Sequence, residues 1–263
     1  MDPDRARRAA RLYAETARLM GVDFVPMYRV TQDEPEVLSP EAVAQEEPAP
    51  AVSVIEAKPE RPADKRAALE ALRARYEQEA PHKNFVTAFT KIVWGEGDPN
   101  ARLVFIGEAP GEEEDREGRP FVGRSGQLLN KMIEAMGLTR ESVYICNVLK
   151  TRPLNNATPT PNEIEACAPY LYEQVAIIDP ECIVTLGLPA AKAVLRCPPT
   201  ATMGSLRSRW AQMTLPNGKK IPVMPTYHPA FLLRSYTPEN RQKVWSDLQQ
   251  VMQRLGLKVK SPA

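Results

Sequence analysis

The stretch Arg102-Leu103-Val104-Phe105-Ile106-Gly107-Glu108-Ala109-Pro110-Gly111 decides the fold. A short, unbroken apolar run enters a glycine-rich turn, the pattern of a strand buried on both faces. Three further β-rich apolar runs follow at 143–148, 182–186 and 221–225. Helical patterns lie between them at 125–136, 161–178 and 189–195, and a last helix is expected over 238–255. Strands alternating with helices predict βαβ units, hence a parallel sheet covered on both faces. Upstream, Asp64 is placed to cap a helix running to Glu79, with Leu69, Leu72 and Tyr76 on one face. The chain contains no internal repeat.

In doubly wound folds ligands sit beyond the carboxyl ends of the strands. The first run ends in Gly107-Glu108-Ala109-Pro110-Gly111, and the second in Asn147, followed by Lys150-Thr151-Arg152-Pro153. The fourth ends in Thr226-Tyr227-His228-Pro229. Three strand ends thus deliver Glu108, Asn147 and His228 towards one rim. A glycine-rich turn after a strand can cradle phosphate. This one has neither G-x-x-x-x-G-K-[ST] nor G-x-G-x-x-G, and it continues as Glu112-Glu113-Glu114-Asp115, too acidic for an anion. Alone, that acidic run reads as a solvated face, Asn147 as a turn or cap, and His228 as structural. Their equivalent places at strand ends are what single them out.

The chain has 263 residues, a formal net charge of +1, 26 prolines and four cysteines. That length holds one well-buried domain with extensions. Residues 1–30 carry a charge of +2 and read as an N-terminal amphipathic helix at 3–20 followed by the apolar peptide Phe24-Val25-Pro26-Met27-Tyr28. Residues 31–63 carry −6 and six prolines, the composition of an extended linker. Residues 64–263 form the folded domain, with a charge of +5 that suits a polyanionic partner. The N-terminal helix is either solvated or a docking segment for DNA or another protein. No apolar run approaches the roughly 18–20 residues of a membrane span. The arginine-rich start lacks a secretory h-region, and Asp2, Asp4 and Glu15 interrupt it as a mitochondrial presequence. The expectation is a cytoplasmic, nucleoid-associated monomer with no membrane contact. Cys146, Cys167, Cys182 and Cys197 form no C-x-x-C pair and are expected to be free thiols, with no metal bound.

Longer segments carry a resemblance. Gly107-Glu108-Ala109-Pro110-Gly111-Glu112-Glu113-Glu114-Asp115, continued by Gly118-Arg119-Pro120-Phe121-Val122-Gly123-Arg124-Ser125-Gly126-Gln127-Leu128-Leu129, resembles the first signature of the family 4 uracil-DNA glycosylases. Tyr144-Ile145-Cys146-Asn147-Val148-Leu149-Lys150 resembles that family's second strand, and Thr226-Tyr227-His228-Pro229-Ala230-Phe231-Leu232-Leu233-Arg234 its last motif. The likeness runs over residues 93–255 with the motifs in order. It implies an α/β fold: a three-layer α/β/α sandwich around a central four-stranded parallel sheet. It also implies flipping of uracil out of DNA and hydrolysis of its N-glycosidic bond, leaving an abasic site for base excision repair.

The resemblance assigns roles. Phe121 stacks on uracil, Asn147 reads its Watson–Crick edge, and Glu114 lies near C5, where it crowds out a thymine methyl. Cytosine presents the opposite hydrogen-bond pattern to Asn147 and would leave buried polar groups unpaired. His228 stabilises the departing uracil anion, and Glu108 is the candidate for positioning the attacking water. Arg124, Lys150, Arg207 and Arg234 are candidate phosphate contacts. Among Phe231, Leu232 and Leu233, an apolar residue could wedge into the base stack.

One departure stands out. The family typically holds a [4Fe–4S] cluster on four cysteines. Here the equivalent positions fall near Ala80 and Lys83, at Thr151, and at Cys167. One thiolate cannot hold a cluster, so none is expected, and the segment 81–89 should be held by packing through Phe85, Phe89 and Trp94. A catalytic enzyme without the cluster is one consequence; a non-catalytic DNA-binding or repair/replication adaptor on the same fold is the alternative. The branch that traps uracil covalently is disfavoured, because its basic insertion before the histidine motif is not visible.

Overall fold

A computed structural model describes residues 64–258. The helix read at 3–20, the apolar peptide and the linker at 31–63 lie outside the described residues.

Strands β2 (Leu103–Gly107), β3 (Tyr144–Asn147), β4 (Cys182–Leu186) and β6 (Lys220–Thr226) form the expected parallel core in the order β3-β2-β4-β6. Two antiparallel edge strands that the sequence reading missed, β1 (Glu96–Gly97) beside β3 and β5 (Ala211–Thr214) beside β6, extend the sheet to six strands. Both escape an apolar-run search for physical reasons. β1 is two residues long, and β5 buries only Met213 between exposed Gln212 and Thr214, the signature of an edge with one face in water.

Residues of the central strands alternate between two cores. Val104, Ile106, Tyr144, Cys146, Ile183 and Val223 face one layer, with Leu69, Leu72 and Tyr76 of α1 (Lys65–Glu79), Leu171 and Val175 of α4 (Pro161–Ile178) and Val194 of α5 (Leu188–Leu195). Leu103, Phe105, Ile145, Val184 and Met224 face the other, with Leu129 and Ile133 of α3 (Arg124–Ala135) and Val244, Leu248 and Val251 of α8 (Pro238–Arg254). The result is the expected three-layer arrangement. Asp64 caps α1 as read: its carboxylate accepts from the amides of Arg66 at 2.9 Å and Ala67 at 3.1 Å.

Among the described residues three short α-helices were not foreseen: α2 (Glu112–Glu117), α6 (Met203–Leu206) and α7 (Pro229–Arg234). Two of them, α2 and α7, follow strand ends and aim the side chains described next. Among the described residues no helix is long and apolar enough to cross a membrane.

Candidate active site

A cavity of about 680 Å³ opens beyond the carboxyl ends of the four parallel strands. Each strand end contributes to its wall: Glu108 after β2, Asn147 at the end of β3, Gly187 after β4 and His228 after β6. The chain goes from β2 to β3 on one side and then to β4 on the other, so the loops diverge above β2 and leave this crevice. Gly187 has φ +91°, and a Cβ there would stand 3.1 Å from the His228 Cβ, so glycine lets the β4 and β6 ends approach.

Asn147 is 1% exposed and pairs in register with Gly107. Its Oδ1 is buried and finds no hydrogen-bond partner. Leaving such an acceptor unpaired costs about 1–3 kcal/mol, which a donor entering the cavity would recover. A Cβ on Gly107 would sit 2.3 Å from that oxygen and 2.5 Å from Phe121 Cζ, so only glycine leaves room for both side chains.

Phe121 is 5% exposed and has φ +50°, an uncommon conformation for an aromatic residue. Its ring centroid lies 5.6 Å from that of His228, tilted by 32°. Glu114, on α2, accepts from the amides of Val122 and Gly123, each at 2.9 Å, and so fixes the backbone that follows Phe121. The acidic run is solvated only in its first half. Glu112 and Glu113 are exposed, whereas Asp115 is buried and accepts from the Thr90 amide and hydroxyl and the Lys91 amide. Carboxylates in the first turn also suit the positive end of the helix.

His228 caps α7: its Nδ1 accepts from the Ala230 amide at 3.0 Å. That bond leaves the proton of the neutral ring on Nε2. Burial first, then the Arg234 charge, push the imidazole pKa down to about 4, against an opposing effect of Glu114. At neutral pH the ring is an uncharged donor. Its strand is anchored below, where the Thr226 hydroxyl donates to buried Asp247 at 2.7 Å. Glu108 is half-buried; burial raises its carboxyl above the ordinary range, with a Thr158 hydrogen bond opposing.

The candidate DNA contacts separate. Arg124 and Arg234 are exposed, and Arg234 and Phe231 lie on the cavity wall. The Phe231 ring stacks on Tyr227 at 4.7 Å. Three expectations are corrected. Lys150 is 0% exposed and donates to Asn147 O at 2.8 Å and Gln174 Oε1 at 2.5 Å, with its ammonium 5.1 Å from the Trp94 ring centroid, so it cannot reach a phosphate. Leu232 is 1% exposed and belongs to the core; its neighbour Leu233, 37% exposed, is the apolar side chain that α7 turns outward. Arg207 is committed to Asp247 at 2.9 Å and packs over the Tyr227 ring. Thr158, Met203 and Asp247 also belong to the site or its support, and no sequence pattern marked them.

The positions expected for a cluster hold other chemistry. Tyr76 is 0% exposed, with ring centroids of His82, Trp94 and Tyr170 at 5.3, 5.5 and 4.9 Å. Phe89 meets His82 edge-on at 4.8 Å. Packing holds the segment through Phe89 and Trp94, as expected, and also through His82, which no sequence pattern marked; Phe85 is only partly buried against this core. Buried Thr151 and Cys167 lie near Tyr76, and burial raises the Cys167 thiol pKa. Among the described residues no three His, Cys, Asp or Glu side chains gather to hold a metal ion. This donor set does not fit a four-thiolate cluster.

The family model of the uracil DNA glycosylase superfamily matches residues 94–249. A type-4 uracil-DNA glycosylase of Thermotoga maritima is 46% identical over 160 residues, covering 61% of this chain and 81% of that protein. Those of Sulfurisphaera tokodaii and Archaeoglobus fulgidus are 45% and 42% identical, covering 62% and 64% of this chain and 74% and 84% of theirs.

Proposed function

The chain belongs to the uracil DNA glycosylase superfamily, and from that premise we propose that it excises uracil from DNA by monofunctional hydrolysis of the N-glycosidic bond, leaving an abasic site for base excision repair. The observation that carries the proposal is buried Asn147, whose Oδ1 has no hydrogen-bond partner, on the wall of the cavity beside the Phe121 ring and the neutral His228.

A base within a duplex must leave the stack to be reached. Phe121 offers the flipped ring an aromatic face. Asn147 Oδ1 accepts from uracil N3–H, and the other end of the amide donates to O4. Cytosine reverses both requirements. Glu114, tethered by two amides at the cavity wall, stands at the C5 side and excludes a methyl group.

Cleavage puts negative charge on the departing base and positive charge on the sugar. His228 donates from Nε2 to O2 as the anion forms, a donor fixed in advance by the Ala230 amide on its other nitrogen. The raised pKa of Glu108 matches a group that holds the attacking water and accepts its proton. Arg124 and Arg234 contact phosphates, and Phe231 or the exposed Leu233 fills the gap left in the stack.

The chain works without an iron–sulfur cluster. The packed Tyr76, His82, Trp94 and Tyr170 rings support that reading, because they supply by aromatic contact the cohesion that metal ligation would supply.

The test is incubation with a labelled oligonucleotide carrying one uracil, in single-stranded, U·G and U·A forms, followed by alkaline cleavage. Scission at the uracil supports the proposal. Intact strands in all three forms overturn it in favour of a DNA-binding adaptor.

A further inference from the structure

The strained backbone of Phe121 is held by a guanidinium from outside the cavity. Arg140 follows α3 and lies 19 residues along the chain from Phe121. Its Nη1 donates to the Phe121 carbonyl at 3.0 Å and to Asn130 Oδ1 at 2.8 Å, and its Nη2 donates to the Pro120 carbonyl. Its Nε donates to Glu96 Oε1 at 2.7 Å. The side chain is 13% exposed, against 57% for Arg119, which also pairs with Glu96. One planar group therefore ties the edge strand β1, helix α3 and two successive carbonyls of the 118–123 loop.

The need for such a clamp follows from the local geometry. Phe121 has φ +50° and Gly118 has φ +78°, so the loop turns twice through conformations that L-residues rarely adopt. The Phe121 carbonyl lies so close to α3 that a Cβ on Gly126 would come within 1.8 Å of it. Such strain persists only where the surroundings over-determine it. Glu114 binds the amides after Phe121, and Arg140 binds the carbonyls at and before it. The two residues grip the peptide from opposite sides.

We propose that Arg140 is a positioning residue for excision: it holds Phe121 in the left-handed conformation that presents its ring to the flipped base. This rests on the glycosylase reading above. Lysine cannot replace it, because a point cation cannot bridge two carbonyls, an amide and a carboxylate in one plane.

The test is a double-mutant cycle read by single-turnover excision on a single-stranded uracil oligonucleotide, with affinity for uracil-free DNA and melting temperature measured alongside. R140K is expected to slow excision about 10²-fold, the cost of a small misplacement near a reacting centre, with affinity for uracil-free DNA unchanged. In an F121A background the same substitution should cost nothing further, because its effect passes through the ring. Excision by R140K at the wild-type rate, or an equal loss with and without Phe121, overturns the proposal. Should R140K not fold, E96Q serves in its place: the clamp predicts a slower rate only where Phe121 is present, and a rate loss independent of Phe121 overturns it. A wild-type chain that leaves uracil in DNA sinks the glycosylase reading alone. The crystal structure of R140K then decides the clamp: Phe121 relaxed out of positive φ supports it, and Phe121 unmoved overturns it.

Discussion

The ring of Phe121 faces the imidazole of His228 across 5.6 Å, tilted by 32°. One arrives on the loop after α2, the other at the end of β6, and they meet only because the strand ends share one crevice. This places an aromatic face beside a ring that can donate, the pairing on which the proposed cleavage relies.

His228 should act as a neutral donor through the whole working pH range. Its pKa is depressed to about 4, so the neutral form exists above that value and is lost only as pH falls through it. Glu108 is shifted the other way, so its carboxylate form is lost at a pH above the ordinary carboxylate range. The excision rate should therefore show an acid limb set by Glu108. E108Q should be slower and should lose that limb, leaving one near pH 4. H228A should cost about 10²–10³-fold in kcat, as expected for one preorganised donor. An acid limb near pH 6.5, the ordinary histidine value, that persists in E108Q would contradict a neutral His228.

Asn147 should decide which base is taken. N147D removes the amide donor and puts a carboxylate beside O4, so uracil excision should fall by about 10²-fold, the equivalent of about 3 kcal/mol for a buried polar mismatch. Cytosine excision should be unchanged or rise. Rates on matched uracil and cytosine oligonucleotides check this; an unaltered uracil rate removes Asn147 from the recognition edge.

Salt dependence should separate surface from buried cations. R234A should lower the slope of log affinity against log salt by about one for each phosphate that the arginine no longer neutralises. K150M should leave the slope unchanged, since the Lys150 ammonium is sealed between Asn147, Gln174 and Trp94. A smaller slope in K150M would contradict the burial.

The aromatic cluster should carry stability without carrying chemistry. Y76A should lose about 3–5 kcal/mol, as for other large buried rings, lowering the melting temperature by roughly 10 °C in a domain of this size. Excision by the folded fraction should persist, and iron chelators should leave the wild-type rate unchanged. Inactivation by chelation would reverse the cluster-free reading.

Much of this was legible in the sequence. The four parallel strands announce themselves as short, largely apolar runs, and the residues at their ends are uncommon enough to mark a rim. The misassigned site side chains share one cause: the orientation of a side chain is a tertiary property. Lys150 looks like a surface cation until Gln174, on α4, closes over it. Leu232 and Leu233 are indistinguishable as letters, and only the short helix α7 turns one inward and the other out. Arg140 left no motif, because most of its partners are backbone carbonyls and side chains brought close by folding.

This cavity should select uracil and release it. The most direct measurement is the initial rate of base release by the wild-type chain from three oligonucleotides of one sequence, carrying uracil, thymine or cytosine at the same position. Abasic product is expected from uracil alone, with cytosine refused at Asn147 and the thymine methyl at Glu114. Comparable rates on all three bases, or none on uracil, would contradict it.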